Sequence, residues 1–117
     1  YNALDPSTHY PDQPDAEFAC DLSFLGNRLP DRERRVHAFF TEAARLCPDR
    51  TFVLGGSGWE AGQFPPNVRY VDYVPPVRHN RFNASAQAVL NISRESMARY
   101  GFSPATRVFE AAGAGAC

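Results

Sequence analysis

The stretch Leu22-Ser23-Phe24-Leu25-Gly26-Asn27-Arg28-Leu29-Pro30-Asp31 decides the fold, because a short apolar run stops at a glycine turn and a helix start follows almost at once. The run has the length of a strand. Pro30 and Asp31 suit a first helical turn: the proline ring presets φ, its missing N–H is not needed there, and the acidic side chain meets the positive end of the dipole. Downstream, Val36, Phe39, Phe40, Ala43, Ala44 and Cys47 recur at three- and four-residue spacing until Pro48 ends the pattern. The spacing predicts one helix burying those six residues, with Arg32, Glu33, Arg35, Glu42 and Arg45 on its solvated face.

Outward from this unit the alternation repeats. Thr51-Phe52-Val53-Leu54 reads as a second strand closed by Gly55-Gly56-Ser57-Gly58, and Val68-Arg69-Tyr70-Val71-Asp72-Tyr73-Val74 as a third closed by Pro75-Pro76. A loop with little helix separates them. A short helix over 78–86 and a fourth strand over Ala88-Val89-Leu90-Asn91-Ile92 follow. Ser103-Pro104 then opens a last helix running to about Ala112, serine capping free N–H groups and proline fitting the first turn. Short apolar strands joined by crossovers imply an α/β, Rossmann-like parallel sheet covered by helices on both faces.

Composition narrows the class. With 117 residues there is room for one core. Residues 1–19 read as a linker or N-terminal extension, since Pro6, Pro11 and Pro14 interrupt them and no periodicity is sustained. Residues 20–117 read as the domain, expected to be a piece of a longer protein cut short at its C-terminus. The 12 basic residues, all arginine, nearly balance 13 acidic ones, which argues against a nucleic-acid footprint and leaves room only for a local anion site. No apolar run approaches the roughly 18 to 20 residues of a membrane span. Cys20, Cys47 and Cys117 are odd in number and sit among apolar or small residues, which points to reduced thiols in a cytoplasmic setting.

Ligands of open α/β sheets bind at the carboxyl ends of the strands. The loops expected there are Gly26-Asn27-Arg28, Gly55-Gly56-Ser57-Gly58-Trp59, Val74-Pro75-Pro76 with Arg78-His79-Asn80 beyond, and Ser93-Arg94-Glu95. Glycines admit close approach and arginines grip phosphate, so a phosphorylated ligand fits; equally, the glycines turn the chain and the arginines solvate its rim. Neither the dinucleotide fingerprint nor the P-loop pattern is present. The helix opened by Ser103 offers an anion site with Arg107 one turn in. Glu110 shares the face of Thr106 and Arg107 and can accept from the hydroxyls of a ribose, or else form a plain surface ion pair with Arg107. His9, His37 and His79 are scattered, no ligand spacing for a metal occurs, and the thiols lack an evident base. No metal or other cofactor is expected, and the catalytic residues are unknown.

Taken in order, Phe24-Leu25-Gly26-Asn27-Arg28, Phe52-Val53-Leu54-Gly55-Gly56-Ser57-Gly58-Trp59, Asn67 to Pro75, Ala88-Val89-Leu90-Asn91 and Ser103-Pro104-Ala105-Thr106-Arg107-Val108-Phe109-Glu110-Ala111-Ala112-Gly113-Ala114-Gly115 resemble the C-terminal half of GT-B glycosyltransferases. The CgeB-like, spore-maturation group is the nearest in look. The resemblance implies a domain that holds a nucleoside-diphosphate sugar, inactive without an N-terminal half that brings an acceptor, in a metal-independent, hexosyltransferase-like enzyme with no partner among nucleic acids. It implies a donor diphosphate near Gly26, Arg28, the Ser103 helix start and Arg107, a base beside Val74 and Pro75, ribose hydroxyls on Glu110, and further donor contacts from Asn27, Gly56 and Thr106. It departs at Phe102, eight positions before Glu110, where many members carry a glutamate for the donor sugar. A non-catalytic nucleotide-binding module is the alternative.

Overall fold

The computed structural model describes residues 3–101 and 104–117. Four parallel strands, β1 (Cys20–Leu25), β2 (Phe52–Gly55), β3 (Val68–Val71) and β4 (Ala86–Val89), form one sheet in the order β3-β2-β1-β4. Register runs Leu22↔Phe52 to Leu25↔Gly55 between β1 and β2, and Phe52↔Val68 to Gly55↔Val71 between β2 and β3. On the other side Cys20 faces Ala86 and Ser23 faces Val89. The α/β, Rossmann-like architecture expected from the alternation is the one observed. The β3 margin is short and bracketed by Pro65-Pro66 and Pro75-Pro76. Beside β4, the Val89 N–H donates to the Cys117 carbonyl at 2.7 Å.

Both faces are buried, which is why the strands read as nearly continuous apolar runs. On one face Phe24, Phe52 and Leu54 pack against Val36, Phe40 and Ala44, with Trp59 and Ile92 closing the cluster. On the other, Val53 and Leu25 meet Phe18, Val74 and Phe82. The first helical run is continuous but not uniform. It comprises α1 (Pro30–Val36), a π-helical turn over His37–Thr41 and α2 (Glu42–Leu46). In this run the buried residues are Val36, Phe40 and Ala44 at four-residue steps together with Thr41, while Phe39 is turned out to 60% exposure and Cys47 is also exposed; Phe39 and Cys47 were expected inside.

Other boundaries also shift. After the 3-10 turn Pro76–Arg78 comes α3 (His79–Ala84), and β4 begins two residues earlier than the apolar run suggested. Leu90 still donates to the Ser23 carbonyl at 2.8 Å, after which Asn91 and Ile92 leave the ladder. An unanticipated helix, α4 (Glu95–Tyr100), ends at Gly101 in the left-handed region, φ 73°. The last helix, α5 (Thr106–Gly113), starts later than expected, flanked by an extended Ala105; Ser103, expected as its cap, and Phe102 lie outside the described residues. Before β1 there is no helix or strand among the described residues, yet the segment is tied down. Arg78 meets Asp15 at 2.8 Å and Glu17 at 2.6 Å, Arg81 meets Asp12 at 3.2 Å, and Asn80 Nδ2 donates to the Thr8 carbonyl at 2.9 Å. Among the described residues no helix is long and apolar enough to cross a membrane.

Candidate functional site

At the carboxyl ends of the strands two cavities, about 330 and 220 Å³, share the wall formed by Leu25, Gly26, Asn27 and Arg107. The loops after β1 and β2 interlock to make that wall. Gly26 donates to the Gly55 carbonyl at 2.7 Å, Arg28 to the Ser57 carbonyl at 2.9 Å, and the Ser57 N–H to Asn27 Oδ1 at 3.0 Å. Trp59 Nε1 closes the turn on the Gly26 carbonyl at 2.9 Å. Gly56 has φ +126°, and a Cβ there would lie 2.4 Å from the Gly26 backbone, so only glycine allows the two loops to touch.

The larger cavity lies between α1, α4 and α5. Its floor is Phe24 and Ile92, and its polar groups are Arg32, Arg94, Arg107 and Glu110, with Thr106 at the start of α5. Arg32, expected on a solvated face, instead folds back over the glycine turn. Its guanidinium carbon lies 5.2 Å from the centre of the Phe24 ring, its Nη2 donates to the Asn27 carbonyl at 2.5 Å, and its Nε is buried without a hydrogen-bond partner among the described residues. Burial is the main force lowering its pKa; the Asp31 carboxylate opposes the shift, while the charges of Arg107 and Arg94 reinforce it. The guanidinium still remains charged.

Arg107 stands between the cavities. Its Nη1 lies 2.8 Å from Glu110 Oε2, and each side chain is only 16% exposed, so the pair is an interior one rather than a surface ion pair. That approach lacks hydrogen-bond alignment, which leaves Nη1 and Nε of Arg107 buried with no hydrogen-bond partner among the described residues. Burial lowers its pKa too, and Glu110 partly restores it. Orphaned buried donors on a cation are costly, and an anion in the adjoining space would offset the burial of that charge.

The smaller cavity is lined by Gly56, Tyr73, Val74, Pro76 and His79 besides the shared wall. His79 Nε2 lies 3.0 Å from the Val74 carbonyl, which can only accept, so that nitrogen carries the proton. Burial depresses the His79 pKa, the Val74 carbonyl opposes the shift, and Arg107 adds to it.

Of the expected site residues, Gly26, Asn27 and Arg107 line both cavities, Thr106 and Glu110 the larger, and Gly56 and Val74 the smaller. Arg28 and Pro75 line neither. Arg28 is turned to Glu33 at 2.9 Å and Glu60 at 3.9 Å. Arg32 was not assigned from sequence, and His79 and Arg94 only as parts of loops. An arginine in the first turn of a helix that follows a glycine turn is the signal that would have found Arg32.

The model of a glycosyl transferase-like family matches residues 32–117. Among solved structures, the chain is similar to the crystal structure of AviGT4, a glycosyltransferase involved in avilamycin A biosynthesis, at 25% identity and a TM-score of 0.60. The match covers 97% of this chain and 35% of that one, so this chain spans about a third of the length of the solved protein. Among curated proteins none matches.

Proposed function

Because the chain belongs to the glycosyl transferase-like family, we propose that it is the donor-binding half of a metal-independent glycosyltransferase, holding a nucleoside-diphosphate sugar for transfer to an acceptor brought by a second half of the same protein. The observation that carries this reading is the cluster of Arg32, Arg94 and Arg107 around one cavity, with Glu110 as its only acidic lining residue among the described residues. Even with Asp31 paired to Arg94 and Glu110 beside Arg107, three cations outnumber two carboxylates, and the surplus favours an anion. In this reading the diphosphate lies between Gly26 and Arg107, the ribose hydroxyls meet Glu110, and the base enters the smaller cavity beside Val74.

The chemistry follows from charge. As the bond from sugar to diphosphate breaks, negative charge grows on the departing oxygens, and guanidinium groups already fixed against the protein stabilise it without solvent reorganisation. Arginine thereby does what a divalent cation does elsewhere. A hexosyl donor and membership of the CgeB-like group belong to the same proposal and rest on the Arg107-Val108-Phe109-Glu110-Ala111 helix. A cytoplasmic setting is proposed from the three free thiols.

Titration of the chain with UDP, GDP and their sugars tests the reading. Saturable binding that is lost in Arg107→Gln supports it; no binding by any of them overturns it. If a nucleotide binds but the protein carrying both halves transfers no sugar, the non-catalytic module is the function.

A further inference from the structure

Resting on the donor-binding reading, we propose that Arg94 measures phosphate-chain length at this site: it engages a second phosphoryl group that a monophosphate cannot present, and so selects diphosphates. The argument is one of depth. Arg107 and Arg94 line the same 330 Å³ cavity but at different levels, the Arg107 side chain being 16% exposed and that of Arg94 53%. A single phosphate drawn to the charge of Arg107 occupies the deep end. A second phosphoryl group, extending towards solvent, meets the rim.

Arg94 is prepared for that contact. Its Nε lies 3.1 Å from Asp31 Oδ2, in the first turn of α1. That contact uses one edge of the guanidinium, and its terminal amino groups make no hydrogen bond among the described residues. Arg94 also directly precedes α4, in extended backbone at φ −61° and ψ 153°, so its Cα is placed by the end of an element rather than by a free loop. A fork held at one edge and open at the other is the geometry that grips a phosphoryl group. Asp31 is then a positioning residue.

The test is calorimetric titration of the chain with inorganic pyrophosphate and with orthophosphate. The wild type is expected to prefer pyrophosphate by roughly tenfold or more. In Arg94→Gln that preference should collapse, pyrophosphate losing roughly tenfold more affinity than orthophosphate, and Arg94→Lys should restore part of it. Arg107→Gln should weaken both ions. A wild type that does not distinguish the two ions, or an Arg94→Gln variant that keeps the preference or weakens both ions equally, overturns the proposal. UDP and GDP separate this from the reading beneath it. If they bind while Arg94→Gln keeps the preference, only the role of Arg94 falls; if length is read as expected but neither nucleotide binds, the donor reading falls alone.

Discussion

Glu110 is the residue on which two kinds of ligand should disagree. Its carboxylate lies beside Arg107 in a wall shared with the anion site, so it repels phosphate yet is suited to accept from ribose hydroxyls. Replacing it by Gln keeps the shape and removes the charge. We predict that Glu110→Gln loses about 1–3 kcal/mol of affinity for UDP or GDP, a charged hydrogen-bonded contact, but binds inorganic pyrophosphate more tightly; paired titrations measure the split. Gly56 is a backbone requirement rather than a contact. Gly56→Ala forces a side chain into φ +126° and against the Gly26 carbonyl carbon and oxygen, so it should cost about 1–3 kcal/mol from the backbone alone and disturb the shared wall. Gly62→Ala, with nothing within 4 Å of its Cβ, should change stability by less than about 0.5 kcal/mol in the same urea titration. At this scale the sequence was informative where chemistry and geometry coincide. Glycine after an apolar run marked Gly26 and Gly56, and helical spacing joined Arg107 to Glu110. It was misleading for Arg32 and Arg28, because which arginine turns inward depends on the ring of Phe24 below one and the carboxylate of Glu33 beside the other.

Elements are held by their ends as much as by their faces. Asn67 Nδ2 lies 3.0 Å from each of the Ala44, Cys47 and Arg50 carbonyls, and so gathers the end of α2 and the turn into β2 onto the residue before β3. Those carbonyls have no further helical turn to bond. Asn67→Ala should therefore destabilise the fold by about 1–3 kcal/mol, read from the midpoint of chemical denaturation, without touching either cavity. The central strands β1 and β2 were legible because both their faces are buried and glycine closes them, whereas β3 and β4, without a fully buried residue, have ends that the apolar runs misplace. The helices were less so. No residue of α4 is buried, so it carries no apolar stripe to read, and yet its Met97 and the preceding Arg94 form one side of the larger cavity. The π-helical turn was invisible for a different reason: three- and four-residue spacing is satisfied by either of two narrow stripes, and only packing against Phe52, whose ring centre lies 5.6 Å from that of Phe40, selects one.

For the molecule as a whole, the segment before β1 is part of the body. Phe18 is 1% exposed and stacks at 5.1 Å on Phe82, with Arg78 above it, so a proline-rich stretch that read as linker supplies one side of the second core. Composition could not reveal this, because one aromatic residue carries it. Titration of His79 also acts on the whole. Its pKa is depressed in the folded state below the ordinary 6.5, so the unfolded chain binds the proton first. Stability from this group is complete above about pH 7 and declines as pH falls through 6.5 towards the folded value. Denaturation midpoints at about pH 7.5 and 5.5 should differ less in His79→Gln than in the wild type. At lower pH, protonation of Asp15, held below its ordinary 3.8 by the Glu17 N–H and Arg78, removes one of the ties between the N-terminal segment and Arg78. The proline pairs flanking β3 bear on crowding rather than on folding. A strand of four residues between imino acids exposes few amide donors in a row, so a stranger chain cannot easily zip onto that border, and the sheet is shielded from growing into a fibril on that side.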